Sequence, residues 1–232
     1  MSGMHSTKGT VSTDGTDSTD GARVAGVLLA AGSGSRYGSP KALVVDNAGE
    51  SWLVRSALAL EAGGCDPVLV VLGAAGLEAE ALLRAATGRF ERPDRLQVLH
   101  AECWAEGLSA SVDAGLASMQ TGDPLVTAVA LVPVDVPDLD GAIVARLIGD
   151  GEAAGSVTVD TLRQAYFGGL PGHPVVIGRA HWAALRAELG GDTGARPYLV
   201  AHGVTAMACD DLGMGLDVDR PPMQSPTRYP LR

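Results

Sequence analysis

The chain has 232 residues, 46% of them apolar, which is enough for a buried core in one large domain. Its formal net charge of −10 leaves no broad basic surface for a nucleic-acid backbone, and no apolar stretch reaches membrane-spanning length, so neither nucleic acid nor membrane is an expected partner. Three cysteines, Cys65, Cys103 and Cys209, lie far apart and form no C-x-x-C pair, which argues against a disulfide framework or zinc site and predicts a cytoplasmic protein.

Residues 1–21 are mostly Ser, Thr, Gly and Asp and cannot bury enough surface to offset the entropy of ordering; a disordered leader is expected there, ahead of a single domain at 22–232. From Val24 onward, short aliphatic runs alternate with alanine-rich stretches. The pattern predicts strands at 24–30, 67–72, 96–99, 127–133, 162–167, 174–177 and 205–208. Helices are predicted at 51–62, 77–87, 109–118, 139–148, 179–189 and 195–202. Strands apolar on both faces and separated by helices specify an α/β fold, a Rossmann-like three-layer sandwich around a mainly parallel sheet. The runs flanking Gly168-Gly169-Leu170-Pro171-Gly172 predict a hairpin or long-looped pair, and so one antiparallel strand.

The most informative segment is 27–43, where an apolar run breaks into a glycine-rich turn that ends on a lysine. Gly32, Gly34 and Gly38 are expected to take positive φ and turn backbone N–H groups toward an anion, while Arg36 and Lys41 add charge suited to a polyphosphate. The spacing fits neither familiar motif. A dinucleotide fingerprint needs glycine where Tyr37 stands, and a Walker A loop needs Gly-Lys-Ser/Thr where the chain has Pro40-Lys41-Ala42. An ordinary strand-to-helix turn often holds two glycines but rarely an arginine and a lysine as well. Farther along, Asp135 follows an apolar strand in Pro-Val-Asp-Val-Pro, at the end where open α/β sheets place ligands. It is the first candidate ligand for Mg2+, which favours one or two carboxylates plus substrate oxygens. Asp138 or Asp140 is the better candidate cap for the helix that follows.

Leu29-Ala30-Ala31-Gly32-x-Gly34-x-Arg36-x-Gly38-x-Pro40-Lys41-Ala42-Leu43 closely resembles the signature of the molybdopterin nucleotidyltransferase-like family. The resemblance implies a nucleotidyltransferase (GT-A-like) fold and a Mg2+-dependent transfer of a nucleoside monophosphate to a phosphorylated acceptor with loss of pyrophosphate. Carried onto this chain, it implies catalytic roles for Arg36, Lys41 and Asp135. Nucleotide contacts would come from Leu29, Ala30, Ala31, Gly32, Gly34, Arg36, Lys41 and Gly73. Leu216-Asp217-Val218-Asp219-Arg220-Pro221 resembles the family's late acidic segment and implies Asp219 as second metal ligand, with Asp217 two residues away on the same side of an extended segment. Val134 stands where the family has glycine before the first metal aspartate. Trp104 to Ser111 resembles a segment that precedes a helix, whose hydroxyls and free N–H groups could hold an acceptor phosphate; Ser109 is the candidate, though it would equally serve as an N-cap. Gly172-His173-Pro174 and Gly191-Asp192-x-Gly194-Ala195-Arg196 are similar to segments of the molybdenum cofactor cytidylyltransferases, which implies CTP as donor, molybdopterin as acceptor and His173 on the acceptor rim. The alternatives are GTP or another donor, another phosphorylated metabolite as acceptor, or a non-catalytic pterin carrier serving a molybdoenzyme.

Overall fold

The computed structural model describes residues 23–149, 155–215 and 217–218; the expected leader at 1–21 and the candidate ligand Asp219 lie outside the described residues. The strands are β1 (Arg23–Ala30), β2 (Val68–Leu72), β3 (Leu96–His100), β4 (Val126–Pro133), β5 (Leu162–Phe167), β6 (Leu170–Gly178) and β7 (Thr205–Ala208). The helices are α1 (Trp52–Ala62), α2 (Gly76–Ala85), α3 (Leu108–Thr121), α4 (Gly141–Ile148), α5 (Arg179–Glu188) and α6 (Arg196–His202). Every expected strand and helix is present, with ends shifted by a few residues. Short 3-10 turns at Lys41–Leu43, Thr87–Arg89, Pro93–Arg95 and Trp104–Glu106 were not expected from the sequence.

The strands form one sheet in the order β3-β2-β1-β4-β6-β5-β7. β6 runs antiparallel to both its neighbours, and the other pairings are parallel. The β5–β6 hairpin turns on Gly168 and Gly169, with φ of 57° and 77°, so Leu170, Pro171 and Gly172 belong to β6 rather than to a long loop. Period-two alternation divides the sheet's side chains between two cores. Leu28, Val70 and Val132 point toward α1, α2 and α4, where they meet Leu53, Leu60, Leu83 and Leu147. Val27, Val71 and Val129 point to the other face, against Leu116 of α3, Trp182 and Leu185 of α5 and Leu199 of α6. Burying such a side chain contributes roughly 1.5–3 kcal/mol. The Trp182 indole N–H is not left unpaired, because it donates to the Ile177 carbonyl at 2.9 Å. Local signals set the helix starts: the Ser51 hydroxyl accepts from the Val54 N–H, and Asp140, rather than Asp138, caps α4 by accepting from the Ala142 N–H at 2.7 Å.

At the end of the sheet opposite the C-terminal ends of β1 and β4, Asp66 accepts from Arg92 Nη1 at 2.7 Å and from Arg95 Nε at 2.5 Å. Burial pushes the Asp66 carboxyl up, but the Arg95 hydrogen bond and the charges of Arg92, Arg95 and Arg23 outweigh it and hold the group below the usual carboxylate range. A carboxyl whose folded pKa is depressed adds stability that is present above its unfolded pKa, about 3.9, and is lost as pH falls through the folded value. Asp66→Asn should therefore lower the melting temperature by a few degrees at pH 7, as followed by circular dichroism, and the gap from wild type should close below about pH 4.

Candidate active site

Strand order reverses between β1 and β4: β2 and β3 extend from one side of β1, while β4 lies on the other. The crevice beyond the C-terminal ends of such a pair is the ligand position of open α/β sheets. A cleft of about 410 Å3 opens there, walled by the 31–41 loop, the 133–135 segment, the start of α3 and Asp192. Its size suits a small-molecule ligand.

The glycine loop is built around one carbonyl. Gly34 O accepts from the N–H groups of Tyr37 at 2.9 Å and Gly38 at 2.7 Å, with Gly34 and Gly38 at φ of 65° and 96°. A Cβ on Gly34 would lie 1.8 Å from the Ser39 carbonyl oxygen, so no other residue fits. Gly32 departs from expectation. It is not in the positive-φ region, and a Cβ there would meet no protein atom within 4 Å; it faces the cleft, where its missing side chain leaves room for a ligand. Tyr37 anchors the loop by packing edge-on against Trp52 of α1, with ring centroids 5.7 Å apart.

Lys41 opens a 3-10 turn closed by hydrogen bonds from Leu43 N–H to Pro40 O and from Val44 N–H to Lys41 O. Its Nζ donates to Asp135 Oδ2 at 2.6 Å, and the two side chains are 15% and 16% exposed. Asp135 is held from both sides of the chain: the preceding residue, Val134, donates its N–H to Leu29 O at 3.0 Å, and Asp135 O accepts from Val218 N–H at 2.9 Å. The valine that replaces the family's glycine is thus accommodated next to β1. Asp135 Oδ1 is buried and has no hydrogen-bond partner among the described residues. An orphaned carboxylate oxygen on the cleft wall is the feature a hard cation would satisfy.

The other predicted residues separate into groups. Leu29, Ala30, Ala31, Gly32, Gly34 and Arg36 line the cleft with Lys41 and Asp135, and Arg36 is exposed. Gly73 does not line it; a Cβ on Gly73 would lie 2.5 Å from Ala31 O and 2.7 Å from Trp104 Cβ, so this glycine lets β2 pass close behind the loop. Ser109 also stands away from the cleft wall. Its N–H and hydroxyl both donate to Gly191 O, at 3.1 and 2.5 Å, so the N–H expected to be free for a phosphate is already used, and the N-cap position belongs to Gly107. His173 is partly buried outside the cleft lining, with Nδ1 unpartnered among the described residues. Burial holds its imidazole below the usual range, opposed by the Asp135 and Asp217 carboxylates and by a hydrogen bond to the Leu131 backbone. Asp217 is exposed and adjoins Val218, which is tied to Asp135. Asp138 accepts from Met214 N–H at 2.9 Å and Gly215 N–H at 3.0 Å, fastening this late segment to the turn after β4.

Sequence reasoning did not assign Tyr37, Ser111 or Asp192 to the cleft, yet all three line it. The Trp104–Ser111 and Gly191–Arg196 motifs had marked the segments that carry the last two. Among the described residues, no group of three or more His, Cys, Asp or Glu side chains could hold a metal. The arrangement instead fits a cation that takes one or two carboxylates and completes its shell with water and phosphate oxygens.

Fold and cleft together define an α/β protein with a glycine-rich loop lining a cleft at the sheet's switch point. The chain belongs to the family of the MobA-like NTP transferase domain, which matches residues 26–206, and it is a nucleotidyltransferase. It is 35% identical over 211 residues to nicotine blue oxidoreductase of Paenarthrobacter nicotinovorans, covering 84% of this chain and 92% of that protein. The crystal structure of Rv0371c from Mycobacterium tuberculosis H37Rv superposes with a TM-score of 0.65 at 27% identity over 85% of this chain and 93% of that one. Rv0371c in complex with manganese gives a TM-score of 0.60 at 24% identity, covering 81% and 88%. No described helix is long and apolar enough to cross a membrane.

The two loop glycines make separable predictions. Gly34→Ala should distort the loop and weaken nucleoside triphosphate binding by at least about tenfold in calorimetric titration. Gly32→Ala should leave the melting temperature within about one degree of wild type yet still impair nucleotide binding, because only a ligand meets the added methyl group.

Proposed function

We propose that this nucleotidyltransferase transfers CMP from CTP to a phosphorylated acceptor, the molybdopterin cofactor, and that residues 22–232 act as a single catalytic domain. The observation that carries the reading is the juxtaposition of Lys41 and Asp135 on the two loops that flank the switch point, a cation for phosphate beside a carboxylate with an open oxygen. An acceptor phosphate oxygen attacks the α-phosphorus in line, the bond from that phosphorus to the bridging oxygen breaks, and pyrophosphate leaves with the electron pair. The loop N–H groups and Gly32 seat the triphosphate, Lys41 offsets charge at the α-phosphate, and Arg36 reaches the outer phosphates from the cleft mouth. Enzymes of this family are typically metal-dependent, and here Asp135, with Asp219 or Asp217, would hold Mg2+, which supplies further charge neutralisation on the phosphates. Rv0371c, which shares this fold, takes manganese, and that accords with a divalent cation here. Donor and acceptor rest on the likeness of Gly172-His173-Pro174 and Gly191–Arg196 to the cytidylyltransferase segments, with His173 at the acceptor end. GTP is the nearest alternative donor.

A second reading, oxidoreduction, draws on the name of the relative at 35% identity. The loop spacing disfavours a dinucleotide there, since Tyr37 occupies the position of the last glycine in that fingerprint.

Incubation with each NTP, Mg2+ and the molybdopterin cofactor should release pyrophosphate with CTP and far less with GTP. Oxidation of a reduced nicotinamide dinucleotide without pyrophosphate release would favour the second reading. Lys41→Ala and Asp135→Ala should each reduce turnover by about a hundredfold or more with circular dichroism unchanged, and near-wild-type turnover in either defeats the assignment. Of Asp217→Asn and Asp219→Asn, the one that raises the Mg2+ requirement identifies the second ligand.

A further inference from the structure

We infer that the Lys41–Asp135 ion pair is an exchangeable lock that makes cation binding and triphosphate binding depend on each other; the inference rests on the proposed function for the identity of the two ligands. The proposed reaction assigns Lys41 to phosphate and Asp135 to the cation, yet in the structure Lys41 Nζ donates to Asp135 Oδ2 at 2.6 Å. Both side chains are largely withdrawn from solvent, where a charge-assisted hydrogen bond is stronger than at an exposed surface.

The backbone on either side is fixed. Lys41 sits in its 3-10 turn, and Asp135 is tied through Val134 to Leu29 and through its own carbonyl to Val218. Exchange therefore needs side-chain rotation only. A divalent cation arriving alone at Asp135 must compete with the ammonium group and then sit beside it. A triphosphate arriving alone at Lys41 must compete with the carboxylate and then face it. When both arrive, Lys41 turns to phosphate, Asp135 turns to the cation, and the two ligands neutralise each other. Each ligand thus removes the obstacle to the other, and the coupling is reciprocal. Asp135 Oδ1, already without a partner among the described residues, is the atom at which a cation first gains a foothold.

The decisive measurement uses Mn2+ alone, without nucleotide, followed by electron paramagnetic resonance on the full chain. Lys41→Met should bind Mn2+ about tenfold more tightly than wild type, because the carboxylate is released. Arg36→Met, which removes a cleft cation that does not bond Asp135, should change Mn2+ affinity by less than about twofold. Conversely, Asp135→Asn should bind CTP in EDTA about tenfold more tightly than wild type, and that gain should shrink in the Lys41→Met background. Unchanged Mn2+ affinity in Lys41→Met, an equal gain in Arg36→Met, or a CTP gain that persists in the double variant each overturns the lock. The Mn2+ arm needs no turnover, so failure of every NTP to yield pyrophosphate would sink the proposed reaction while leaving this result to stand or fall by itself.

Discussion

The parallel pairing of β1 with β4, in register from Val24 opposite Ala128 to Leu29 opposite Pro133, is the constraint on which the site depends. Because the two strands run the same way and end together, the loops that leave them emerge side by side. Neither loop needs to reach far: the lysine eleven positions beyond the end of β1 and the aspartate two beyond the end of β4 meet at 2.6 Å. Had β4 been antiparallel to β1, Asp135 would have been carried away from the cleft. The antiparallel partner instead is β6, one strand farther out, which brings His173 alongside the Leu131 backbone and within electrostatic reach of Asp135.

Around that meeting point, the structure uses backbone groups as fasteners and leaves side-chain charge for the cleft. Gly34 O closes the glycine loop, Gly191 O receives both donors of Ser109, and Asp135 O receives the Val218 N–H. Among the described residues, the late segment is fastened through its backbone, by Val218 N–H to Asp135 O and by Met214 and Gly215 N–H to the Asp138 carboxylate. A Cβ on Gly107 would lie 2.6 Å from Gly191 O and 2.7 Å from Asp192 Oδ1, which shows how closely the 190–194 turn is drawn onto the start of α3. Asp192 reaches the cleft because of that contact.

The strands and helices were legible because their signals are local: period-two burial, alanine-rich stretches between glycines, and the double glycine at 168 and 169. The loop and Asp135 were legible because a motif and a strand end are both features of a short window. What stayed hidden depends on rotation and on distant partners. Ser109 and Ser111 lie about 200° apart around a helix, so which one faces the cleft is decided by how Val112 and Leu116 seat α3 on the sheet. The three loop glycines look equivalent in sequence, yet Gly34 is demanded by Ser39, and Gly32 only by what enters the cleft. β6 begins earlier than its apolar run because Leu170 and Pro171 pair with Phe167 and Tyr166, an arrangement set by the turn rather than by their own hydrophobicity.

Charge explains why binding is confined to so small a region. The chain carries a formal net charge of −10, so a polyanion gains nothing from the long-range field and must be held by short-range contacts. Within the cleft lining the charges are balanced, with Arg36 and Lys41 facing Asp135 and Asp192. A bare triphosphate brought into a cleft of that composition meets as many like charges as opposite ones, and one of its two cations is already committed to a carboxylate. Backbone N–H groups can orient phosphates but cannot by themselves offset their full charge. In the proposed reaction a cation accompanying the nucleotide would change the balance, since it would turn Asp135 from a repelling group into a ligand and free Lys41 for phosphate. In the proposed reaction, a cation entering with the nucleotide would offset the phosphate charge that Arg36 and Lys41 alone leave uncompensated in so acidic a chain.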